Sequence, residues 1–429
     1  MNAHDHANYD YIIVGGGISG LYCAKALYEK YRDTKSILVL DDRKYFGGRL
    51  ITHYHPQYEI GGARFHENHT LLMSLIKEYN IDISKISSKV VYIHKTRQDK
   101  TIYYNDANKT FDLIMSNIIQ KAKSIPKKDM IQYTTKELID KLCQSTELSR
   151  KIINIFGYSS EFCTMNAYDA LNQFQSEFVE KQYYVLNDGF SNFINIMVKD
   201  LKRKGVVMKG ESNVHDVKRE HGHYCVCVSK TNTNSNLTLE YTTHKVIFAT
   251  KAHQLKSFKI LKPIHRTLSC ISGQPLLRIY AKFPKLKRYG NMPWFHEFPR
   301  ITTNSFLRHI IPINPENGLI MISYTDGNDI KPFMKNKWTL KSDEEIKDLI
   351  IKELKVLFPD LLISSPPYFK CHLWTIGAHY WRKNCDSTKI LSFVRNPLEN
   401  IYVVGEAFSH KQAWIEGSLE SVESIFPSL

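Results

Sequence analysis

The chain has no long hydrophobic run. No stretch of about twenty apolar residues occurs in its 429 residues, so no membrane-spanning helix is expected. Its eight cysteines include no CxxC pair, and no Cys/His group has zinc-finger spacing, so no metal site is expected. Cys225 and Cys227 alternate in HYCVCVS and point to one face of a strand; buried thiols in a reducing compartment are the expectation. Internal repeats are absent, and low complexity is confined to TNTNSN, read as a hairpin tip. The lead-in MNAHDHANYD carries no cationic segment, and four glycines interrupt the apolar run of residues 11–27. A secretory signal is therefore not expected, and the chain reads as soluble and intracellular, most simply cytoplasmic.

What is present is ordinary for a globular protein: 43% apolar and 24% charged residues, with length for two or three domains and for a core that needs no disulfide staples. The net charge is +15. Such a field favours acidic partners over cationic ones. The basic residues are scattered over 121–128, 199–204 and 282–288, with no stacking aromatics or helix-turn-helix around them. A solvated surface is expected rather than nucleic-acid binding.

Residues 9–14 (YDYIIV) read as a short buried strand. GGGISG follows, and then a helix over 21–31 with Leu21, Ala24, Leu27 and Tyr28 on one face. Residues 36–40 (SILVL) form a second buried strand. Further on, the pattern predicts a helix over 68–78, a strand-rich stretch over 90–112 and helices over 113–178 and 189–204. Hairpin strands over 206–250 end in KVIFAT, and PLLRIYAKF and GLIMISY are strands. A helix over 342–358, the strand NIYVV at 400–404 and a terminal helix over 415–426 complete the series.

Gly15-x-Gly17-x-x-Gly20 lies between the first strand and the first helix, which is the context that gives this spacing meaning. Gly15 permits the tight turn, Gly17 lets backbone approach a pyrophosphate, and Gly20 lets helix pack on strand. The amides of Ile18, Ser19 and Gly20 then face the phosphates at a positive helix end. Asp41 ends the second strand and is placed to accept ribose hydroxyls, with Asp42 beside it; a carboxylate there repels the 2′-phosphate of NADP.

Arg43-Lys44-Tyr45-Phe46-Gly47-Gly48-Arg49 then resembles the flavin-containing amine oxidase family, whose members carry an acidic residue and Gly-Gly-Arg shortly after the second strand. The resemblance implies that Arg43, Gly48 and Arg49 meet the diphosphate and ribose of FAD. It also implies that Glu59-Ile60-Gly61-Gly62-Ala63-Arg64 passes the flavin ring, with Gly62, Ala63 and Arg64 as contacts. Gly405-Glu406, followed by Trp414-Ile415-Glu416-Gly417, is similar to the family's C-terminal signature. It implies Glu406 on the ribityl chain, and the backbone of Trp414 and Ile415 at the pyrimidine edge, where a helix dipole favours reduced flavin. LNDGF, Val214 (near the adenine) and KVIFAT match the family's middle FAD segment.

On the substrate side, WTIGAHYW resembles the family's segment bearing one wall of an aromatic cage. The resemblance implies Tyr380 and Trp414 as walls holding an amine. Arg278 stands where members often have a lysine linked to oxygen reactivity; arginine cannot donate that proton, which leaves oxidase or dehydrogenase open. No cysteine stands in the cage segment and His379 is the nearest nucleophile, so non-covalent FAD is expected.

The implied fold is α/β: a Rossmann-type doubly wound FAD domain, NAD(P)-binding-like, from residues 9–72, 186–256 and 396–429. An α+β substrate domain from 73–185 and 257–395 is inserted into it. The implied activity is hydride transfer from an amine α-carbon to flavin N5, imine hydrolysis, and reoxidation by O2 to hydrogen peroxide. An FAD-dependent desaturase or dehydrogenase on a non-amine substrate is the alternative, and a non-catalytic binding protein on the same fold the second. The substrate is a small amine or an amino acid. For a carboxylate, Arg300, Arg308 and Arg382 are candidates beside a plain surface role.

Overall fold

A computed structural model describes residues 7–87, 89–95, 101–104, 106–177, 182–231 and 238–429. Most of TNTNSN lies outside them. The chain divides into two compact units, one of residues 1–85, 183–273 and 386–429, the other of 86–182 and 274–385.

The first unit is built on a seven-stranded sheet. Strand β1 (Ala7–Val14) leads through the glycine turn into helix α1 (Ile18–Tyr31) and strand β2 (Ile37–Leu40). Helix α2 (Thr70–Glu78) and helix α3 (Gly189–Arg203) follow. Then come strands β3 (Val207–Lys209), β4 (Ser212–Glu220), β5 (His223–Lys230), β6 (Thr238–Phe248) and β7 (Ile401–Val403), and helix α4 (Ile415–Glu423). The order is β3-β2-β1-β6-β5-β4, with β7 also paired to β6. β3, β2, β1, β6 and β7 run parallel, and β5 and β4 complete an antiparallel meander.

Ile12, Ile13, Leu38 and Val39 are all buried, as a parallel strand covered on both faces requires. This is why YIIV and ILVL appear in the sequence as unbroken apolar runs. Leu21, Ala24 and Leu27 of α1 pack with Leu419 and Val422 of α4 in one core. The terminal helix stops at Glu423, short of the expected 426, and Pro427 lies in the short turn Phe426–Ser428 that follows. Helix α2 stays with this unit although the sequence reading placed residues from 73 onward in the substrate domain: Glu416 of α4 accepts hydrogen bonds from the amides of Leu71 and Leu72 at its first turn.

The second unit holds another seven-stranded, mostly antiparallel sheet, which includes strands Val90–Lys95, Leu319–Asp326 and Tyr368–Trp381, and a group of helices. The strand-rich stretch ends at Tyr104 rather than near 112. Asp106 caps the helix Ala107–Ala122, its carboxylate accepting from the Lys109 amide at 2.9 Å.

Candidate functional site

Chain order makes the site of the first unit. From β1 the chain moves to β2 and then β3 on one side, while β6 and β7 lie on the other. The carboxyl ends flanking β1 form the switch point where doubly wound folds bind ligands. There β1 delivers Gly15, β2 delivers Asp41, β6 delivers Ala249 to Lys251, and β7 delivers Gly405 and Glu406.

The glycines are required by packing. Gly15 has φ +109°, and a Cβ on it would lie 2.5 Å from the Ala249 carbonyl oxygen. A Cβ on Gly20 would lie 2.0 Å from the Gly15 oxygen. Gly17 faces Gly48 so closely that a Cβ on Gly48 would stand 3.2 Å from the Gly17 Cα. Gly17 is the N-cap of α1 and supplies no side-chain cap. The first-turn amides of Ile18, Ser19 and Gly20 therefore find no acceptor in a cap side chain.

Asp41 is buried, and its two carboxylate oxygens accept from the amides of Gly16 (2.7 Å) and Arg43 (2.9 Å). Its pKa is raised, because burial outweighs those two bonds. It thus braces the glycine turn, and Asp42 is the exposed carboxylate beside it. Arg43 donates to the Gly48 carbonyl at 2.9 Å. Lys251 sits more than half buried; burial lowers its pKa, and Arg43 and Arg49 push it the same way. The three cations thus lie near one another, and Gly48, whose carbonyl accepts from Arg43, abuts Gly17 at the start of α1. Thr250 Oγ1 is buried there with no hydrogen-bond partner among the described residues. This donor set suits a diphosphate group: amides at a helix end, three cations and one unsatisfied hydroxyl.

The two ends of the chain meet in this unit. Arg49 Nη2 lies 2.8 Å from Glu406 Oε2, and Glu406 Oε1 accepts from the Ala413 amide at 2.7 Å. Ala413 takes φ +67° to present that amide. Gly405, at φ +133°, donates its amide to Ser421 Oγ at 2.8 Å and so anchors the turn to α4. Trp414 is the N-cap of α4 and gives no side-chain cap. Its ring lies 4.9 Å from His69 and 5.7 Å from His66, both edge-on, and near-parallel to Tyr183 at 6.5 Å and 22°. Arg64 places its guanidinium 5.1 Å from the Tyr183 ring. Gly62 packs on Leu50 and Ile415, with Ala63 next to it. Val214 is buried on β4, where a register shift separates it from Asp216.

Glu416 is fully buried, and burial raises its pKa despite the two amides of α2. A carboxyl raised in the folded state binds its proton more tightly there than in the unfolded chain. Its contribution favours folding at acid pH and fades as pH rises above the ordinary glutamate value of 4.5. Wild type should therefore lose stability relative to Glu416→Gln between that pH and neutrality. Denaturant midpoints of both proteins at the two pH values measure it, and a constant difference would count against it.

In the second unit Arg278 is buried and donates to the Tyr324 hydroxyl at 3.1 Å, its guanidinium 4.5 Å from that ring's centre. Tyr380 is 4% exposed, packs in the core of the helices with Phe162, Met165 and Leu171, and donates to Glu161 Oε1 at 3.4 Å. Arg308 is buried and committed to Asn154 and to the carbonyls of Ile153 and Gly157, a structural role. Arg300 reaches the Tyr158 hydroxyl at 3.5 Å, and Arg382 bridges to Met165.

Lys251, Tyr183, His66 and His69 were not expected at the site, and Thr250 was expected only as the end of KVIFAT, with no role for its hydroxyl. KVIFAT pointed to a strand end there, but the side chains that follow it carry no spacing signal. Tyr183 reaches Trp414 only through tertiary packing.

A family model described as flavin containing amine oxidoreductase matches residues 18–422. Among curated relatives, an amine oxidase [flavin-containing] of Oncorhynchus mykiss is 28% identical over 168 residues, and amine oxidase [flavin-containing] A of Canis lupus familiaris 30% over 168. In both cases the match spans 34% of this chain and only 31% of the relative. An uncharacterized protein of Acanthamoeba polyphaga mimivirus is 21% identical, with 97% of this chain and 92% of that one covered. The structure of putrescine oxidase bound to putrescine superposes with TM-score 0.78 at 15% identity, covering 99% of each chain, a likeness of fold. With the match running from the glycine turn to the terminal helix, the chain belongs to the flavin-containing amine oxidoreductase family.

Proposed function

We propose that the chain holds FAD non-covalently and oxidises a small amine, with oxygen as final electron acceptor. The observation that carries this reading is the Arg49–Glu406–Ala413 link, which joins the N-terminal glycine segment to the C-terminal turn. The amides of Ile18, Ser19 and Gly20, with Arg43, Arg49 and Lys251, would hold the diphosphate, and Thr250 would gain a partner. Asp42, and the lone pairs left on Asp41, would meet the ribose. Val214 would back the adenine, while Gly62, Ala63, Arg64 and the amide of Ile415 would border the ring system. FAD, when bound, supplies the hydride acceptor.

The chain's own contribution to the amine is to bind it and strip it of water. Trp414 offers a ring face for a nitrogen, and Tyr183 lies near-parallel to it. An amine among rings loses hydration, which lowers its pKa and favours the neutral form that can give up hydride. In place of the expected Tyr380, whose ring is part of the helix core, Tyr183 is assigned beside Trp414. Arg278 keeps a fixed positive charge and cannot deliver a proton. The +15 charge disfavours steering of polycations such as diamines, so amines of low charge are the better candidates.

Anaerobic mixing of the yellow protein with a panel of monoamines, diamines and amino acids tests this. At least one amine should bleach the flavin, and bleaching by none would reject amine oxidation. Trp414→Ala should raise KM about tenfold, roughly the worth of packing the amine's methylene groups against the ring. A lower kcat at unchanged KM would assign Trp414 a different role.

A further inference from the structure

We propose that Cys225, Cys227 and Glu240 form a binding site for a thiophilic divalent cation of the zinc class. The two cysteines share one face of β5, and strand register sets Glu240 of β6 opposite Cys227. One ligand atom from each residue lies within 4.8 Å of the others, and Cys227 Sγ is 3.8 Å from Glu240 Oε1. A tetrahedral zinc with sulfur at about 2.3 Å and oxygen at about 2.0–2.2 Å sets neighbouring ligands about 3.5–3.8 Å apart, so little movement closes the site. Three protein ligands leave a fourth position for water. Thiolates select this class over magnesium or calcium.

Both cysteines are free and buried, and burial pushes the Cys225 thiol up to about 12. Binding therefore forms two sulfur–metal bonds and releases two protons to solvent, with no change of oxidation state. Two thiolates and one carboxylate leave a net negative charge around a divalent ion. Lys218, exposed and paired in register with Cys225, stands beside the cluster to offset it, with Asp216 and Glu220 on the same strand. Cys225 and Cys227 are 5% and 3% exposed, and Lys218, opposite Cys225, is exposed. The cluster sits on the antiparallel meander, where Val228, the register partner of Val214, alternates to the face of β5 opposite Cys225 and Cys227, so cation occupancy and flavin content are read separately.

Cadmium titrated into the full-length flavin-bound protein reads the site through its thiolate-to-metal charge-transfer band. One equivalent should saturate the band and zinc should displace it. Cys225→Ser/Cys227→Ser should abolish it at unchanged FAD content, and Glu240→Gln should weaken it at least about tenfold. If the double variant fails to fold, zinc should still protect Cys225 and Cys227 of wild type from alkylation, read by mass spectrometry. Absence of a saturable band, an equal band in the double variant, no effect of Glu240→Gln, or no protection would each overturn the three-ligand assignment.

Discussion

Gly20→Ala and Gly15→Ala should each yield protein that leaves purification colourless, with FAD content reduced at least about tenfold. At position 20 the added methyl would stand 2.0 Å from the Gly15 carbonyl oxygen. That oxygen belongs to the backbone and cannot rotate away, so α1 must back off from β1. At position 15 the methyl would meet the Ala249 oxygen at 2.5 Å in a residue held at φ +109°. Either shift moves the α1 amides from the place where phosphates would sit. Thr250→Val separates lost binding from lost folding. The Thr250 hydroxyl has no partner among the described residues, so its removal should leave the apoprotein as stable as before and weaken FAD alone. Equal FAD content in the glycine variants, or a Thr250→Val protein that loses stability but not affinity, would remove the diphosphate assignment.

Arg49→Ala should destabilise the first unit by about 3 kcal/mol, at the lower end for removing one partner of a buried ion pair. Glu406 is 4% exposed and would lose the cation opposite its carboxylate while keeping the Ala413 amide, and Arg49 is itself about a quarter exposed, which limits the loss. Arg49→Lys restores charge without the planar fork and should recover part of it. Glu406→Gln in the Arg49→Ala background should also recover stability, because the stranded carboxylate is gone. Denaturant midpoints of the apoproteins measure all three. A midpoint for Arg49→Ala equal to wild type would show that the link between the chain ends carries no load.

The legible parts of this fold were those that physics writes locally. The YIIV and ILVL cores of the first two strands are apolar throughout because both faces of a central parallel strand are covered. Gly15, Gly17 and Gly20 are spaced by a turn and one helical repeat. Arg49 and Glu406 were each marked by a neighbouring glycine motif, but their pairing, across 357 positions, depends on β7 joining β6 and could not be read from either end. Asp41 was expected to face ribose, yet its first task is to hold two amides of the turn, a role its position alone does not reveal. Lys251, Thr250 and Tyr183 follow or flank ordinary strands, and only strand order brings them to the site. Likewise no spacing rule links Cys227 to Glu240. Their register does, which is why the cysteines read only as buried thiols and no metal was expected.

The most direct measurement is the visible spectrum of the purified full-length chain, with the cofactor released by denaturation and counted. A flavin spectrum and one FAD per chain, set free without proteolysis, is the expected result. Colourless protein that takes up no FAD on reconstitution, while remaining folded, would contradict the account at its base.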